Sequence, residues 1–364
     1  RYRSLGQYVT FLSAEDAIVG SLGRFGVDAK LWEAGQVAKH MLEHLGGLWG
    51  AHLIANVEIL ELLNKMANSA RRLKNDDETV LEHFGLRTAT IDQWKKVISQ
   101  HNKAHQLPNK SLEDYTKRNV IRLGLETECP HCDAKNWTSL TDVDYRFTCE
   151  RCLKPYDFPQ GNLKSKNRNW TYRVVGPFAV RDYALGSYSS ILALRVLNKF
   201  GPGMNNMTYS TAMKLKFDGI EREVDFVALY GDDRMHETHR PPRLILGESK
   251  SAGSGELITS KDISRMRSIA EKFPESVIVV AVLRDDFTEN EKSLLRKLVN
   301  WGRRVNIYDE PTNPVLLLTS NELMMDHYIS STWKKIGGRH EKFEDFDYTR
   351  NLITFADSTQ QIYL

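Results

Sequence analysis

The spacing of apolar residues divides the chain into regions of different character. Up to about residue 125, apolar positions such as Met41 and Leu45 recur every three or four residues, as on the buried faces of packed helices. This spacing predicts a helical N-terminal region over residues 1–125, with Gly46 and Gly47 separating two of its helices.

From about Trp170, helical spacing alternates with strand-like spacing. Residues 183–200 have the apolar period of a helix, and two stretches of alternating apolar and polar residues flank Asp218-Gly219, which indicates a hairpin. The elements expected after the hairpin are a strand at 244–250, a helix capped by Thr259 and Asp262, a strand at 277–283, a helix capped by Thr288 and Glu291, and strands at 305–308 and 315–318. The order helix, three strands, helix, strand, helix, strand predicts an α/β core over residues 170–320 with a mixed sheet.

One strand of this core ends in charged residues. Residues 244–246 are aliphatic and indicate a strand buried on both faces, yet Glu248, Ser249 and Lys250 follow directly. A buried strand has no structural use for a carboxylate and an ammonium group at its end. Because side chains alternate along a strand, Glu248 and Lys250 project to the same side and can contact one substrate atom.

The four cysteines of the chain form two C-x-x-C pairs. Cys129 and Cys132 are separated by sixteen residues from Cys149 and Cys152, a spacing that fits a four-thiolate zinc site in a zinc ribbon over residues 126–160. Two disulfides or a redox pair are the alternatives, and a reducing cytoplasm disfavours the former. Four thiolates leave no open position on zinc, so we expect the metal to be structural.

The surroundings of these cysteines suggest the rest of the ribbon. Residues 136–138 and 145–147 have the composition of its short strands. Lys154, Lys164, Lys166 and Arg168 either contact DNA or a partner, or form a solvated linker. The sequence leaves both options open.

Two motifs in the N-terminal region permit more than one interpretation. Residues 79–100 contain a helix, Gly85 and a second helix opened by Thr90-x-x-Gln93, which is the plan of a DNA-binding helix-turn-helix but also of any helical bundle. His40-Met41-Leu42-Glu43-His44 matches the H-x-x-E-H pattern of a zinc protease, although two histidines on an exposed helix produce the same pattern.

Composition narrows the protein class only slightly. The 364 residues are 41% hydrophobic with a formal charge of +3, which predicts two or three folded domains and permits a nucleic-acid partner. No apolar run approaches the roughly 20 residues that cross a bilayer, and no signal-peptide pattern opens the sequence, so we expect a cytoplasmic protein with no membrane partner. The chain begins at Arg1, which is typical of a fragment.

The core resembles a known enzyme superfamily. An αβββαβ order with Asp225 on the second strand, followed by Glu248 and Lys250 on the third, resembles the PD-(D/E)XK nucleases of the restriction-endonuclease-like fold. The resemblance covers about residues 183–318. Val224 stands where the family has proline, and the first helix offers Asp182 where many members have glutamate.

The resemblance implies a function for these residues. Asp225 and Glu248 would bind Mg²⁺ or Mn²⁺, with Glu221 or Glu223 assisting, and Lys250 would orient or deprotonate the attacking water and stabilise the transition state. The implied activity is phosphodiester hydrolysis by a DNA endonuclease of bacterial restriction, anti-phage defence or a mobile element, with an ATPase or a second copy of the chain as a possible partner. The alternative is a non-catalytic DNA- or protein-binding factor on the same fold.

Two remaining segments are assigned from composition alone. Lys261, Arg265 and Arg267 either contact phosphates or form an exposed helix face. Residues 321–364 are too apolar for disorder, so we expect this C-terminal extension to pack on the core or on a partner chain.

Overall fold

The computed structural model describes residues 13–67, 87–104, 109–158, 170–199, 207–231, 242–251, 256–305, 310–325, 328–343, 346 and 351–364. Its helices are α1 (Ala14–Gly23), α2 (Glu33–Leu45), α3 (Val57–Ala67), α4 (Ile91–Ala104), α5 (Leu112–Lys117), α6 (Arg181–Leu185), α7 (Ser187–Lys199), α8 (Ser260–Lys272), α9 (Glu289–Gly302), α10 (Ser320–Leu323), α11 (Ile329–Ile336) and α12 (Leu352–Tyr363). Its strands are β1 (Asp28–Leu31), β2 (Ala89–Thr90), β3 (Ile121–Glu128), β4 (Lys135–Ser139), β5 (Arg146–Thr148), β6 (Pro155–Asp157), β7 (Trp170–Val174), β8 (Met207–Phe217), β9 (Ile220–Tyr230), β10 (Arg243–Lys250), β11 (Val277–Val282) and β12 (Val315–Leu318). No helix in these ranges is long and apolar enough to cross a membrane.

The larger sheet has six strands in the order β1-β8-β9-β10-β11-β12. The pairs from β1 to β10 are antiparallel, whereas β10, β11 and β12 are parallel to one another. Every residue of β11 and β12 is buried, as expected for parallel strands covered on both faces. The predicted mixed α/β fold is therefore confirmed.

Local sequence signals set several of these elements. Asp218 and Gly219 have φ angles of 52° and 73°, which a two-residue turn matched to the strand twist requires, and they join β8 to β9. Both predicted capping boxes are present: Thr259 with Asp262 opens α8, and Thr288 with Glu291 opens α9. Each box satisfies backbone N–H groups that the helix itself leaves unpaired.

The N-terminal region is not wholly helical, contrary to the prediction for residues 1–125. β1 pairs with β8 and so extends the sheet of the core, while β2 and the start of β3 belong to a second sheet. At Gly35, an added Cβ would lie 2.1 Å from the carbonyl oxygen of Ala212, so α2 packs directly on β8. A strand of four residues is too short to display a period, which explains why the sequence did not reveal β1.

The second sheet has four strands in the order β2-β7-β3-β4 and crosses the predicted domain boundaries. β3 runs through the boundary at residue 126, and β7, which lies within the range predicted for the α/β core, pairs with β3 and β2. The two predicted ribbon strands are present as β4 and β5, and β5 pairs with β6. The ribbon is thus continuous with a sheet to which the N-terminal region also contributes.

The first helix of the predicted core begins later than its period suggested. α7 starts at Ser187, and α6 before it is a single left-handed turn in which Asp182, Tyr183 and Ala184 have φ between 53° and 55°. Consecutive left-handed conformations are unfavourable for residues other than glycine, so the surrounding structure must hold this turn in place. The amide of Tyr183 donates to Asn64 Oδ1 at 2.9 Å and supplies one such restraint.

The C-terminal extension packs on the larger sheet, which is one of the two expected arrangements. Thr359 and Gln360 of α12 hydrogen-bond to backbone atoms of Leu317 and Val315 in β12. The fully buried Glu322 accepts hydrogen bonds from Trp333 Nε1 at 2.7 Å and from the hydroxyl of Tyr363. These contacts connect α10, α11 and α12.

Three predictions fall partly outside the described residues. They concern the first helix of the helix-turn-helix over residues 79–86, the basic residues Lys164, Lys166 and Arg168, and the strand at 305–308, of which only Val305 is described. The second helix of the proposed motif is present as α4. Thr90 and Gln93 exchange the two hydrogen bonds of its capping box at 2.8 and 3.2 Å.

Candidate active site and candidate metal centre

A cavity of about 680 Å³ lies against β8, β9 and β10 of the larger sheet. Asp225, Glu248, Ser249, Lys250 and Arg265 line it together with residues of α2, α6 and α7. Two parts of the chain that the sequence analysis separated, the N-terminal region and the α/β core, therefore form one concave surface.

The three predicted catalytic side chains converge in this cavity. β9 and β10 are paired up to Phe226 and Gly247, and one further step in register brings Asp225 opposite Glu248. Lys250 Nζ lies 3.0 Å from Glu248 Oε1, so these two side chains project to the same side of β10, as their spacing predicts.

Asp225 is held by the strand beside it. Its Oδ2 accepts hydrogen bonds from the backbone amide of Ser249 at 2.6 Å and from the Ser249 hydroxyl at 3.2 Å. The Ser249 hydroxyl in turn lies 3.0 Å from Ser189 Oγ and 2.9 Å from Ser190 Oγ, so α7 supports the position of Asp225. Within the described residues, Asp225 Oδ1 has no hydrogen-bond donor and remains open to a ligand in the cavity.

Gly247 permits the close approach of β9 and β10 beside the site. A Cβ at this position would lie 2.2 Å from ring carbons of Phe226, which faces it across the strand pair. The buried Phe226 ring occupies the space of the missing side chain. We infer that a larger residue here would displace the backbone that carries Glu248 and Lys250.

Helix α8 contributes two further charged side chains. Arg265 Nη2 lies 2.7 Å from Glu248 Oε1, 2.6 Å from Glu248 Oε2 and 3.0 Å from Asp262 Oδ1. Asp262 Oδ1 also accepts a hydrogen bond of 3.4 Å from Lys250 Nζ, while Asp262 Oδ2 caps the helix at Thr259. Asp262 thus contacts both Lys250 and Arg265 while it also caps the N-terminus of α8.

Burial raises the proton affinity of the two central carboxylates. Glu248 is only 1% exposed; its burial, together with the charge of Asp225, raises its pKa to about 7. Burial also raises the pKa of Asp225, although the Ser249 amide and the charge of Lys250 act against the change. Burial therefore outweighs the nearby positive charges in its effect on the pKa of both carboxylates.

The pKa values of the two cations of the site, Lys250 and Arg265, are also raised. Burial acts to lower the pKa of Lys250, but Glu248 and Asp262 outweigh this effect, so the pKa is raised above its ordinary value. Arg265 behaves in the same way, with Glu248 as the larger opposing influence. Lys250 is consequently an ammonium ion at neutral pH.

Other predicted ligands are distributed unevenly. Asp182 and Glu223 line the cavity, whereas Glu221 lies outside it and pairs with Lys214 at 2.9 Å. The cavity also contains Glu33 of α2 and Glu256, neither of which the sequence suggested as a ligand. Among the residues described, no third acidic or histidine side chain lies close enough to Asp225 and Glu248 to complete a compact group of three.

Only one of the three basic residues proposed for phosphate contact reaches the cavity. Arg265 lines it, whereas Arg267 pairs with Glu271 at 2.9 Å and stacks on Trp301 at the exposed side of α8. Lys261 is also exposed, which agrees with the alternative of a solvated helix face for these two residues.

The four cysteines form a compact cluster, as their spacing predicts. Their sulfur atoms all lie within 4.8 Å of one another, with Cys129 to Cys152 at 3.7 Å and Cys132 to Cys149 at 3.6 Å. Thiolates around a tetrahedral zinc ion at the usual bond length are separated by about 3.8 Å. The cluster can therefore hold a metal ion such as zinc.

Backbone amides donate hydrogen bonds to two of the cysteine sulfur atoms and so favour the thiolate form that binds a cation. Cys129 Sγ accepts from the amide of His131, and Cys149 Sγ accepts from the amides of Arg151 and Cys152, at 3.4 to 3.5 Å. Burial acts to raise the pKa of Cys149, but these amides and the neighbouring cysteines outweigh it and lower the pKa to about 6. A thiol with this pKa is ready to bind as a thiolate.

The H-x-x-E-H segment does not form a metal site. His40 Nδ1 lies 3.0 Å from Glu43 Oε2 in a largely exposed pair on α2. In the described ranges the cysteine cluster is the one compact group of metal-binding side chains. The alternative of an exposed helix surface therefore accounts for these histidines.

Comparison with known proteins adds little. No protein-family model matches the chain, and no curated protein matches it significantly. A crystal structure of protein VC1899 from Vibrio cholerae is similar over 84% of this chain and 58% of that chain, with 10% sequence identity and a TM-score of 0.37. This chain thus spans less than two thirds of that protein, and a likeness of this size carries no argument about fold or function.

Proposed function

We propose that this protein is a metal-dependent nuclease that hydrolyses phosphodiester bonds of DNA in the cavity of Asp225, Glu248 and Lys250. The observation that carries the proposal is the convergence of these three side chains from two neighbouring strands. They lie on β9 and β10, two antiparallel strands, and β10 is also paired in parallel with β11. This position resembles the arrangement of the motif in PD-(D/E)XK nucleases. The order of α7, β8, β9, β10, α8 and β11 agrees with that resemblance.

The donor set fits a hard divalent cation. Asp225 and Glu248 offer carboxylate oxygens, and burial, the largest cause of their raised pKa values, disfavours their charged forms in a way that a bound cation would offset. Mg²⁺ binds carboxylates while keeping several waters, so two protein ligands in an open cavity are sufficient. When bound, the metal would supply a Lewis acid and a more acidic water.

Lys250 is suited to electrostatic stabilisation. Because its pKa is raised, the ammonium group is protonated at neutral pH and can donate hydrogen bonds to the attacking water or to a phosphoryl oxygen. Asp262 and Glu248 fix its position at 3.4 and 3.0 Å. Deprotonation of the water by Lys250 is disfavoured by the same interactions.

We further propose that the cysteine cluster binds one structural zinc ion. All four thiols face one another, so a tetrahedral ion would have no open position for substrate or water. The small core of Phe147 and Tyr156 beside the cysteines is too limited to stabilise this part of the chain without the metal.

A second candidate function follows from Arg265. Its guanidinium already neutralises both oxygens of Glu248, an arrangement that would also suit a binding protein whose nuclease site has lost activity. The two functions differ in whether DNA is cleaved.

Plasmid DNA incubated with the purified full chain and Mg²⁺ or Mn²⁺ separates them. We expect metal-dependent cleavage that falls about 10² to 10³-fold in Lys250→Ala, as for removal of one transition-state donor. Lys216→Ala, which removes an exposed lysine of β8 outside the cavity, is the matched control and should cleave normally. Absence of cleavage would support the binding protein instead, and equal cleavage by Lys250→Ala would contradict an active site at Lys250.

A further inference from the structure

The four-stranded sheet carries adjacent arginines. Arg122 of β3 lies directly opposite Arg173 of β7, and like charges in this position destabilise a strand pair. Arg122 is exposed and Arg173 is half-buried. Within the described part of the chain, neither forms an ion pair with a carboxylate. The sheet therefore holds two positive charges side by side without internal compensation.

Two more arginines, Arg87 and Arg181, carry charges that act in the same part of the chain. Burial, followed by the charges of Arg181 and Arg173, lowers the pKa of Arg87, and the opposing charge of Glu150 does not restore it. The exposed Arg181 directly precedes Asp182, which lines the cavity of the candidate active site. The left-handed turn α6 thus joins the basic cluster to the acidic cavity.

The indole ring of Trp137 packs on this sheet and contacts Arg173. A Cβ on Gly124 would lie 2.3 Å from Trp137 Cε2, so the ring rests on the backbone of β3. Its Nε1 donates to the carbonyl oxygen of Thr171 at 3.3 Å, and the guanidinium carbon of Arg173 lies 5.7 Å from its ring centroid. Because the ring already contacts the sheet and Arg173, we infer that it positions the arginine and does not stack on an unpaired base.

We propose that this arginine face, formed by Arg122 and Arg173 beside Trp137 together with Arg181, binds the phosphate backbone of duplex DNA and directs it to the neighbouring cavity. Guanidinium groups pair with phosphate oxygens through two parallel hydrogen bonds, and a phosphate between Arg122 and Arg173 would remove their repulsion. The identity of the ligand as DNA rests on the proposed nuclease function.

The test is the salt dependence of binding, measured on the full chain without divalent cations so that cleavage does not intervene. Anisotropy of a fluorescent duplex is followed from 50 to 200 mM salt, about the range over which phosphate contacts change affinity most visibly. We expect Arg122→Gln/Arg173→Gln to reduce the slope of log affinity against log salt by about two, roughly one per lost phosphate contact. Arg24→Gln/Arg267→Gln removes the same charge from exposed positions elsewhere and should leave the slope unchanged.

Two further variants keep the test decisive if the double variant fails to fold. Arg181→Gln alters only the exposed turn and should lower the slope by about one. Arg173→Lys keeps the charge and should retain the slope. An unchanged slope in Arg181→Gln or in the folded double variant would overturn the proposal, as would tighter binding of a single strand of equal length.

The outcomes for binding and for cleavage are separable. Arginine-dependent duplex binding by a protein that never cleaves DNA would support the arginine face and overturn the nuclease. Metal-dependent cleavage by a protein whose binding ignores the arginine substitutions would do the reverse.

Discussion

The cysteine cluster and the acidic cavity bring charged ligands together in opposite ways. The four sulfur atoms come from two tight turns of one short segment, face one another and leave no position for a further ligand. The side chains of the cavity come from β9, β10 and α8, border on α2 and α6, and leave Asp225 Oδ1 open. A closed cluster can stabilise a fold, whereas an open and electrostatically unbalanced site can bind a metal together with a substrate.

The two sites also differ in how their ligands are held. Backbone amides of the same turns donate to Cys129 and Cys149, so the cluster depends on local geometry. Asp225 and Lys250 are positioned by Ser249 and Asp262, and these depend on α7 and on the cap of α8. We therefore expect substitutions in the cysteine cluster to change the structure only locally. Substitutions of the residues that position Asp225 and Lys250 should reduce activity.

The largest effect should follow from loss of a cysteine. Cys149→Ser should abolish stoichiometric zinc and remove hydrogen-exchange protection over residues 129–158, because structural zinc contributes roughly 10 kcal/mol or more in small domains. Protection of β8 to β12 should persist, since those strands have their own core. His131→Ala, in the same turn but outside the cluster, should retain the metal; retention of zinc by Cys149→Ser would contradict the assignment.

A smaller effect should separate positioning from stability. Asp262→Asn and Glu291→Gln each alter the capping box of a helix, and loss of the cap costs about 1 kcal/mol in the free energy of unfolding; Glu291→Gln also weakens a partly buried ion pair with Arg284. Only Asp262 contacts Lys250 and Arg265, so only Asp262→Asn should lower the single-turnover cleavage rate, by about tenfold. Equal rates in the two variants would mean that Asp262 serves the helix alone.

The same contrast explains what the sequence could predict. The cluster of four cysteines, the hairpin turn at Asp218 and the capping boxes follow from local patterns, and the structure confirms each of them. Glu248 and Lys250 could be placed on one side of β10 because strand alternation is also local.

The supports of the cavity could not be predicted, because they depend on contacts between distant elements. Neither the salt bridge of Arg265 to Glu248 nor the cavity position of Glu33 leaves a periodic signal in the sequence. The turn at Asp182 adopts left-handed backbone angles that residues other than glycine disfavour, so the helix propensity of its residues predicted an ordinary right-handed helix. The predicted domain boundary at residue 126 was misplaced because it falls inside β3, and the sequence of this strand does not change in character at that residue.

Binding of Mn²⁺ to the full chain and to Asp225→Asn and Glu248→Gln, followed by electron paramagnetic resonance, tests the proposed metal site directly. We expect wild-type protein to bind Mn²⁺ and each substitution to weaken this binding by about 100-fold or more, because each removes a ligand. Glu221→Gln, on the same strand as Asp225 but outside the cavity, should bind as the wild type does. Equal Mn²⁺ affinity in all four proteins would contradict a metal site at Asp225 and Glu248.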